Sequence, residues 1–174
     1  YVGSLSTYYN IESILELAKK SKKDDLNVLF LIVGDGEIFD YLKFKIKELD
    51  LDNINLFGKL KRSDAHQILR ISNAGYVSLK DLKIHDYGIS CNKIYEYMYY
   101  SLPILGHYKT AYDPVVEAKC GLVSDPKNIN QLFKDLKFMV NNPILLKDMA
   151  LNSNLYYMKN HSTEEVVKRL VDLI

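Results

Sequence analysis

A lysine and a glutamate stand three residues apart in the stretch GISCNKIYEYMYYSLPIL, residues 88–105, as Lys93 and Glu96. On a helix that spacing puts both on nearly one face, together with Tyr97. Two chemistries suit the pair. The plain one is an exposed ion pair worth about 0.2–0.5 kcal/mol. The other is ligand binding. A lysine in a first helical turn opposes the helix dipole, and a bound anion there would compensate. A carboxylate one turn deeper can accept two hydrogen bonds from a vicinal diol. The surroundings favour the second chemistry.

Those surroundings are a series of glycine-bearing turns, each following an apolar run. The run at residues 1–5 closes in GSLSTYYN, where Gly3 allows a close approach to the backbone and the next helix turns its first amides outward. The run NVLFLIV closes in Gly34-Asp35-Gly36, and NINLF closes in Gly58, followed by Lys59 and Leu60. Asp-Gly alone is ordinary turn chemistry. The dinucleotide fingerprint GxGxxG is absent after the first run, which argues against a nicotinamide cofactor. The longest loop, LKDLKIHDYGISCN, leads into the helix of Lys93, and loops of this length in compact domains often carry function. Its His85 and Asp86 have no companion cluster to complete a metal or nucleophile site, so His85 is read as a loop histidine and no metal is expected.

The elements that must position these groups follow from periodicity. NVLFLIV is apolar throughout, as in a strand buried on both faces. Strands are expected at residues 1–5, 27–33, 53–57, 74–79, 103–105 and 120–124. Helices are expected at residues 11–20, 37–49, 64–70, from 93 onward, 112–119, 128–140, 143–159 and 163–174. Ser63 is expected to cap the third, and Asn128 with Gln131 and Ser162 with Glu165 fit capping boxes. Strand–helix alternation predicts a single α/β domain over residues 1–174, a doubly wound parallel sheet of Rossmann type. Such sheets bind ligands at the carboxyl ends of their strands.

The 174 residues suffice for one such core, and a formal net charge of +1 gives no reason to expect nucleic acid as a partner. Two cysteines, Cys91 and Cys120, form neither a metal pattern nor a disulfide framework, which fits a cytoplasmic location. Arginine occurs only at Arg62, Arg70 and Arg169, so a phosphate would meet lysines, helix ends or amides. With no initiator Met and a strand under way at Tyr1, the chain is expected to be a piece of a longer protein.

The order YVGSL, LIVGDGE, INLFGKL, GYVSL, GISCNKIYEYMYYSLPIL and GLVSDP resembles the carboxyl-terminal domain of GT-B glycosyltransferases, family-4-like (group 1) retaining enzymes of bacterial capsule and O-antigen synthesis. The resemblance spans essentially the whole chain. It implies a donor-binding domain for a nucleoside diphosphate sugar, most often UDP-linked. Transfer of a hexosyl or amino-sugar residue to a glycan or lipid-linked acceptor would need no metal or other cofactor. It implies that Glu96 holds the ribose hydroxyls, and that Tyr87, Gly88, Ile89, Ser90 and Asn92 lie along the diphosphate and sugar. Gly34, Asp35, Gly36, Gly58, Lys59 and Leu60 would border the base and ribose. Many relatives carry an arginine and a lysine where Ser4 and Tyr9 stand, and a glutamate where Gly88 stands. Lys93 thereby becomes the leading diphosphate cation and the expected catalytic group. The partner domain for the acceptor would be an amino-terminal domain, against which residues 163–174 pack, and the parent would sit at the inner face of the plasma membrane. Two other readings are an epimerase of the same fold and a non-enzymatic flavodoxin-like module. The latter would want an aspartate where Gly58 ends its strand.

Overall fold

Short parallel strands alternate with helices along the chain. In the computed structural model, which describes residues 1–172, the strands are β1 (Phe30–Val33), β2 (Ile54–Gly58), β3 (Gly75–Ser78), β4 (Ile104–His107) and β5 (Gly121–Ser124). The helices are α1 (Ser13–Lys23), α2 (Phe39–Glu48), α3 (Arg62–Ile71), α4 (Asn92–Tyr99), α5 (Pro114–Glu117), α6 (Ile129–Asn141), α7 (Pro143–Asn160) and α8 (Thr163–Val171). β1 pairs with β2, and β4 lies between β3 and β5 in a second ladder, every pairing parallel. Residues 1–5 add an extended segment to the first ladder. Val2 bridges Val33, and the N–H groups of Gly3 and Leu5 donate to Val33 O and Asp35 O at 2.9 and 3.0 Å.

Neighbouring residues of β3 and β4 divide between two apolar clusters. Tyr76 and Leu105 join Leu15, Ile32, Leu42 and Leu132 in one, while Val77 and Ile104 join Leu69, Ile94, Met98 and Val115 in the other. Successive strand side chains point to opposite faces, so helices cover both sides. The α1, α2 and α6 layer lies on one face, and α3, α4 and α5 lie on the other. The arrangement is the expected doubly wound sheet, parallel throughout and covered on both faces.

Helix ends follow the sequence in part. Asn128 Oδ1 accepts from Gln131 N–H at 3.0 Å and Ser162 Oγ from Glu165 N–H at 3.3 Å, the forward half of each box. The return halves are diverted: Gln131 donates to Asp135 and Glu165 accepts from Arg169. Ser63 is no cap; α3 starts two residues earlier than expected, at Arg62, with Lys61 at its N-cap and Ser63 Oγ turned to Asp64. Lys61 has the extended geometry of an N-cap and Arg62 is already helical, so the serine falls inside the first turn.

Tyr97, fully buried in α4, ties the two ladders together. Val2 N–H donates to its hydroxyl at 3.1 Å, and that hydroxyl donates to Tyr76 O of β3 at 3.3 Å. A phenol thus stands where a strand-to-strand bond between residues 1–5 and β3 would lie. Gly75 makes room for it, because a Cβ there would meet the Tyr97 ring. A second buried set, Ser13, Tyr76, Ser78 and the carbonyl of Asn10, pins the start of α1 to β3.

Tyr97→Phe keeps the ring and strands a buried N–H and carbonyl, so it should cost about 1–3 kcal/mol in urea unfolding. α8 has no buried residue, and Val166, Val167, Leu170 and Val171 are 41–64% exposed. Leu173 and Ile174, the end of the expected terminal helix, lie outside the described residues. Deleting residues 163–174 should therefore leave the urea midpoint nearly unchanged; a large drop would show that this helix belongs to the core.

Candidate functional site

The carboxyl edge of the sheet carries three recesses around α4. The first, about 440 Å³, collects Gly3, Ser4, Gly34, Asp35, Gly36 and Lys59. The second, about 360 Å³, is bounded by Tyr8, Tyr9, Ile84, His85, the loop Gly88–Cys91, Asn92 and Lys93. The third, about 720 Å³, runs between α3 and α4 past Arg62, His66, Asn92, Glu96 and Tyr100. Asn92 borders the second and third.

Most of the expected residues therefore gather at one edge. Gly58 sits just behind the first recess, its carbonyl accepting from Gly34 N–H at 2.9 Å. Leu60 lines none of the three. Tyr87 is 86% exposed and also lines none of them. The glycines prove to be structural as well. A Cβ on Gly34 would collide with the Gly3 carbonyl, and one on Gly3 would collide with the aliphatic end of Lys93. The room at Gly3 is filled by a lysine of this chain.

Lys93 is 8% exposed. Its Nζ lies 3.6 Å from the centroid of the Tyr9 ring and 5.0 Å from that of Tyr1, within range of cation–π attraction. Burial pushes its pKa below the usual lysine value, with Cys91 and Glu96 opposing that shift weakly. The helix around it is open at its start. Cys91, the N-cap, makes no side-chain cap bond, and the first turn has no acid. Outward amides and a poorly hydrated ammonium together favour an anion.

Lys93 and Glu96 are not an ion pair: among the described residues the carboxylate's partner within 4 Å is His66, at 3.8 Å. Arg62 Nε donates to His66 Nε2 at 3.4 Å, so the same nitrogen that faces Glu96 is already engaged by Arg62. Glu96 is thus half-exposed, facing α3, with its oxygens available to hydroxyl donors. The shared face expected for residues 93, 96 and 97 is split. Lys93 and Tyr97, one turn apart, face the sheet, and Glu96 faces the groove. Tyr99, at the end of α4, is 54% exposed.

Four further residues enter from outside the motif. Tyr8 and Tyr9 come from the turn after residues 1–5, held by Thr7, whose N–H and hydroxyl donate to Glu37 at 3.1 and 2.7 Å. His66 comes from α3. His85, expected as a loop histidine, is 4% exposed, with Nε2 2.6 Å from the Tyr8 hydroxyl. Only their position after strand ends marked them in the sequence.

Residues 1–155 match the sequence profile of glycosyl transferases group 1. The chain belongs to that family. No curated protein matches it by sequence. Among solved structures, Staphylococcus aureus TarM, determined with fondaparinux, alpha-GlcNAc-glycerol and UDP, superposes with a TM-score of 0.80 at 20% identity, covering 99% of this chain and 34% of TarM. The carboxyl-terminal domain of LpcC, a group 1 family protein from Francisella tularensis, gives 0.76 at 15%, covering 92% and 84%. The pneumococcal O-GlcNAc transferase GtfA, with UDP and GlcNAc, gives 0.76 at 15%, covering 99% and 34%. The chain thus spans about a third of TarM and GtfA and most of the LpcC domain. Family membership displaces the flavodoxin-like reading. Among the described residues no helix is long and apolar enough to cross a membrane.

Lys93→Met should leave the free chain as stable or more so, since replacing a buried charge by an apolar side chain of similar length removes its desolvation cost. The pH dependence carries the sign. Below its lowered pKa the folded lysine bears the full burial penalty. As pH rises from there to the unfolded value near 10.5 the penalty disappears, so stability should rise. Buried tyrosines act oppositely near pH 10, so the measurement is the wild-type minus Lys93→Met difference in urea unfolding across pH 7–11. A flat difference would mean that Lys93 is well solvated.

Proposed function

We propose that this chain is the donor-binding domain of a retaining, metal-independent glycosyltransferase. Its ligand is a nucleoside diphosphate sugar, UDP-linked, and the group transferred is a hexosyl or amino-sugar residue. The observation that carries this reading is the division of labour on α4: a buried, unpaired ammonium at an open helix start, and one turn on a carboxylate with no strong partner. A nucleotide lying across Asn92 would set its ribose hydroxyls on Glu96 and its diphosphate toward Lys93 and the α4 amides. Base and ribose would border Gly34, Asp35, Gly36, Gly58 and Lys59. The UDP in the TarM and GtfA complexes supports uridine as the base.

During transfer, the bond between the sugar and the diphosphate breaks and negative charge grows on the leaving oxygen. Fixed amide dipoles and an ammonium already stripped of water can stabilise that charge without reorganising. This role makes Lys93 the catalytic group. The acceptor, a glycan or lipid-linked saccharide of a surface polysaccharide, would be bound by an amino-terminal domain. α8, with its exposed valines and Leu170, is the surface for that domain. The whole enzyme would work in the cytoplasm, at the inner face of the plasma membrane.

Calorimetry against UDP, GDP, ADP and uridine tests the assignment. UDP should bind best. Glu96→Gln should weaken UDP and uridine alike, since both carry the ribose diol. Lys93→Met should weaken UDP by about tenfold to a hundredfold and leave uridine nearly unchanged, the loss of one charge-assisted contact of about 1.5–3 kcal/mol. Equal losses for UDP and uridine in Lys93→Met would mean that the lysine only supports the loop.

A further inference from the structure

The second recess holds a polar pair that neither the ribose nor the diphosphate uses. His85 sits in a 3-10 turn, Lys83–Tyr87, and is 96% buried by its 4% exposure. Its Nε2 lies 2.6 Å from the hydroxyl of Tyr8, and the two rings meet edge to face at a centroid distance of 5.6 Å. Tyr8 itself is 45% exposed, so the hydroxyl is anchored on the protein side and reachable from the recess. Lys93 closes the other end, and Leu79, Ile84 and Ile89 supply apolar wall between them. At Gly88 nothing lies within 4 Å of where a Cβ would stand, so the recess stays open on that side.

We propose that Tyr8 and His85 form the subsite for the transferred sugar and decide which sugar is accepted. The proposal rests on the donor-binding reading, which puts the diphosphate at Lys93 and hence the sugar in the space beyond it. A pyranose hydroxyl, or an acetamido group, is both donor and acceptor. The phenol–imidazole pair offers both roles as well: with the tautomer in which Nε2 accepts, the phenol oxygen keeps lone pairs for a sugar hydroxyl, and with the tautomer in which Nε2–H donates, the phenol O–H turns to the sugar. Apolar contacts from Ile84 and the Tyr8 ring suit the C–H face of a sugar. The volume, about 360 Å³, falls in the range of small-ligand pockets. Burying a histidine only to pin a loop would not require its partner to reach into the recess.

The test is calorimetry on the chain with UDP, UDP-glucose, UDP-galactose, UDP-GlcNAc and UDP-GalNAc. Tyr8→Phe and His85→Asn should leave the Kd of UDP within about twofold. Each should weaken at least one of the four sugar nucleotides relative to UDP by roughly three- to tenfold, the worth of one neutral hydrogen bond, and alter their order. Tyr8→Phe keeps the exposed ring and guards against a folding defect in the histidine variant. Ratios unchanged for all four sugars would overturn the subsite, and so would UDP weakening in step with them, since the pair would then serve only the loop. If the wild-type chain binds UDP and none of its sugars, the subsite fails while the donor-binding reading loses only its sugar. If it binds no nucleotide, the donor-binding reading fails and takes the subsite with it.

Discussion

The Tyr97 hydroxyl is the point on which the rest of the site depends. It accepts from Val2 and donates to the carbonyl of Tyr76, so one side chain of α4 joins two ladders that otherwise share no described strand pairing. Its ring lies over Gly75, fixing how close the helix comes to the sheet. The end of α4 is fixed too. Ser101 takes a left-handed conformation, and the N–H groups of Ser101 and Leu102 donate to the carbonyls of Met98 and Tyr97, a Schellman close that turns the chain straight into β4. An eight-residue helix held at its middle and its end has little freedom left at its start. Lys93, Asn92 and the open amides are positioned by those two constraints.

Holding Lys93 there opposes folding. Desolvation disfavours the charged ammonium, and the Tyr9 and Tyr1 rings offset part of that cost through their faces. Tyr9, from the turn after residues 1–5, carries a ring that holds a cation arriving from α4. Gly3 completes the fit, since any larger residue would displace the lysine tail.

The sequence carried the architecture because the architecture is periodic. The unbroken run NVLFLIV marked a strand covered on both faces, and Ile32 and Val33 are indeed buried, although the regular strand starts only at Phe30. Ser63 misled because a good capping residue stood at the second position of a helix whose N-cap is the extended Lys61. The site was half legible. Residues on one element, such as Lys93 and Glu96, could be paired by spacing, and the strand-end glycines could be brought to one edge by topology. The phenol of Tyr8 against the imidazole of His85 spans 77 positions of chain, and no local pattern encodes that meeting. The same holds for the tyrosine cage of Lys93: Tyr9 has no spacing relation to the helix whose charge it covers.

The separation of Lys93 from Glu96 has a physical use. Three residues turn a helix about 300°, so side chains at that spacing diverge by about 60°. With Tyr97 drawn onto the sheet, Lys93 is drawn inward with it, and Glu96 is left on the groove side. Had both entered one recess, the ammonium and carboxylate would have paired, and any ligand would have had to break that pair before binding. Divided by the helix edge, each keeps its charge unspent. The two recesses still touch at Asn92, close enough for a single ligand that carries a diol at one end and a diphosphate at the other. The aromatic residues that crowd this helix therefore act on the chemistry through geometry: by fixing which face of α4 meets the sheet, they decide that its two charges cannot satisfy each other.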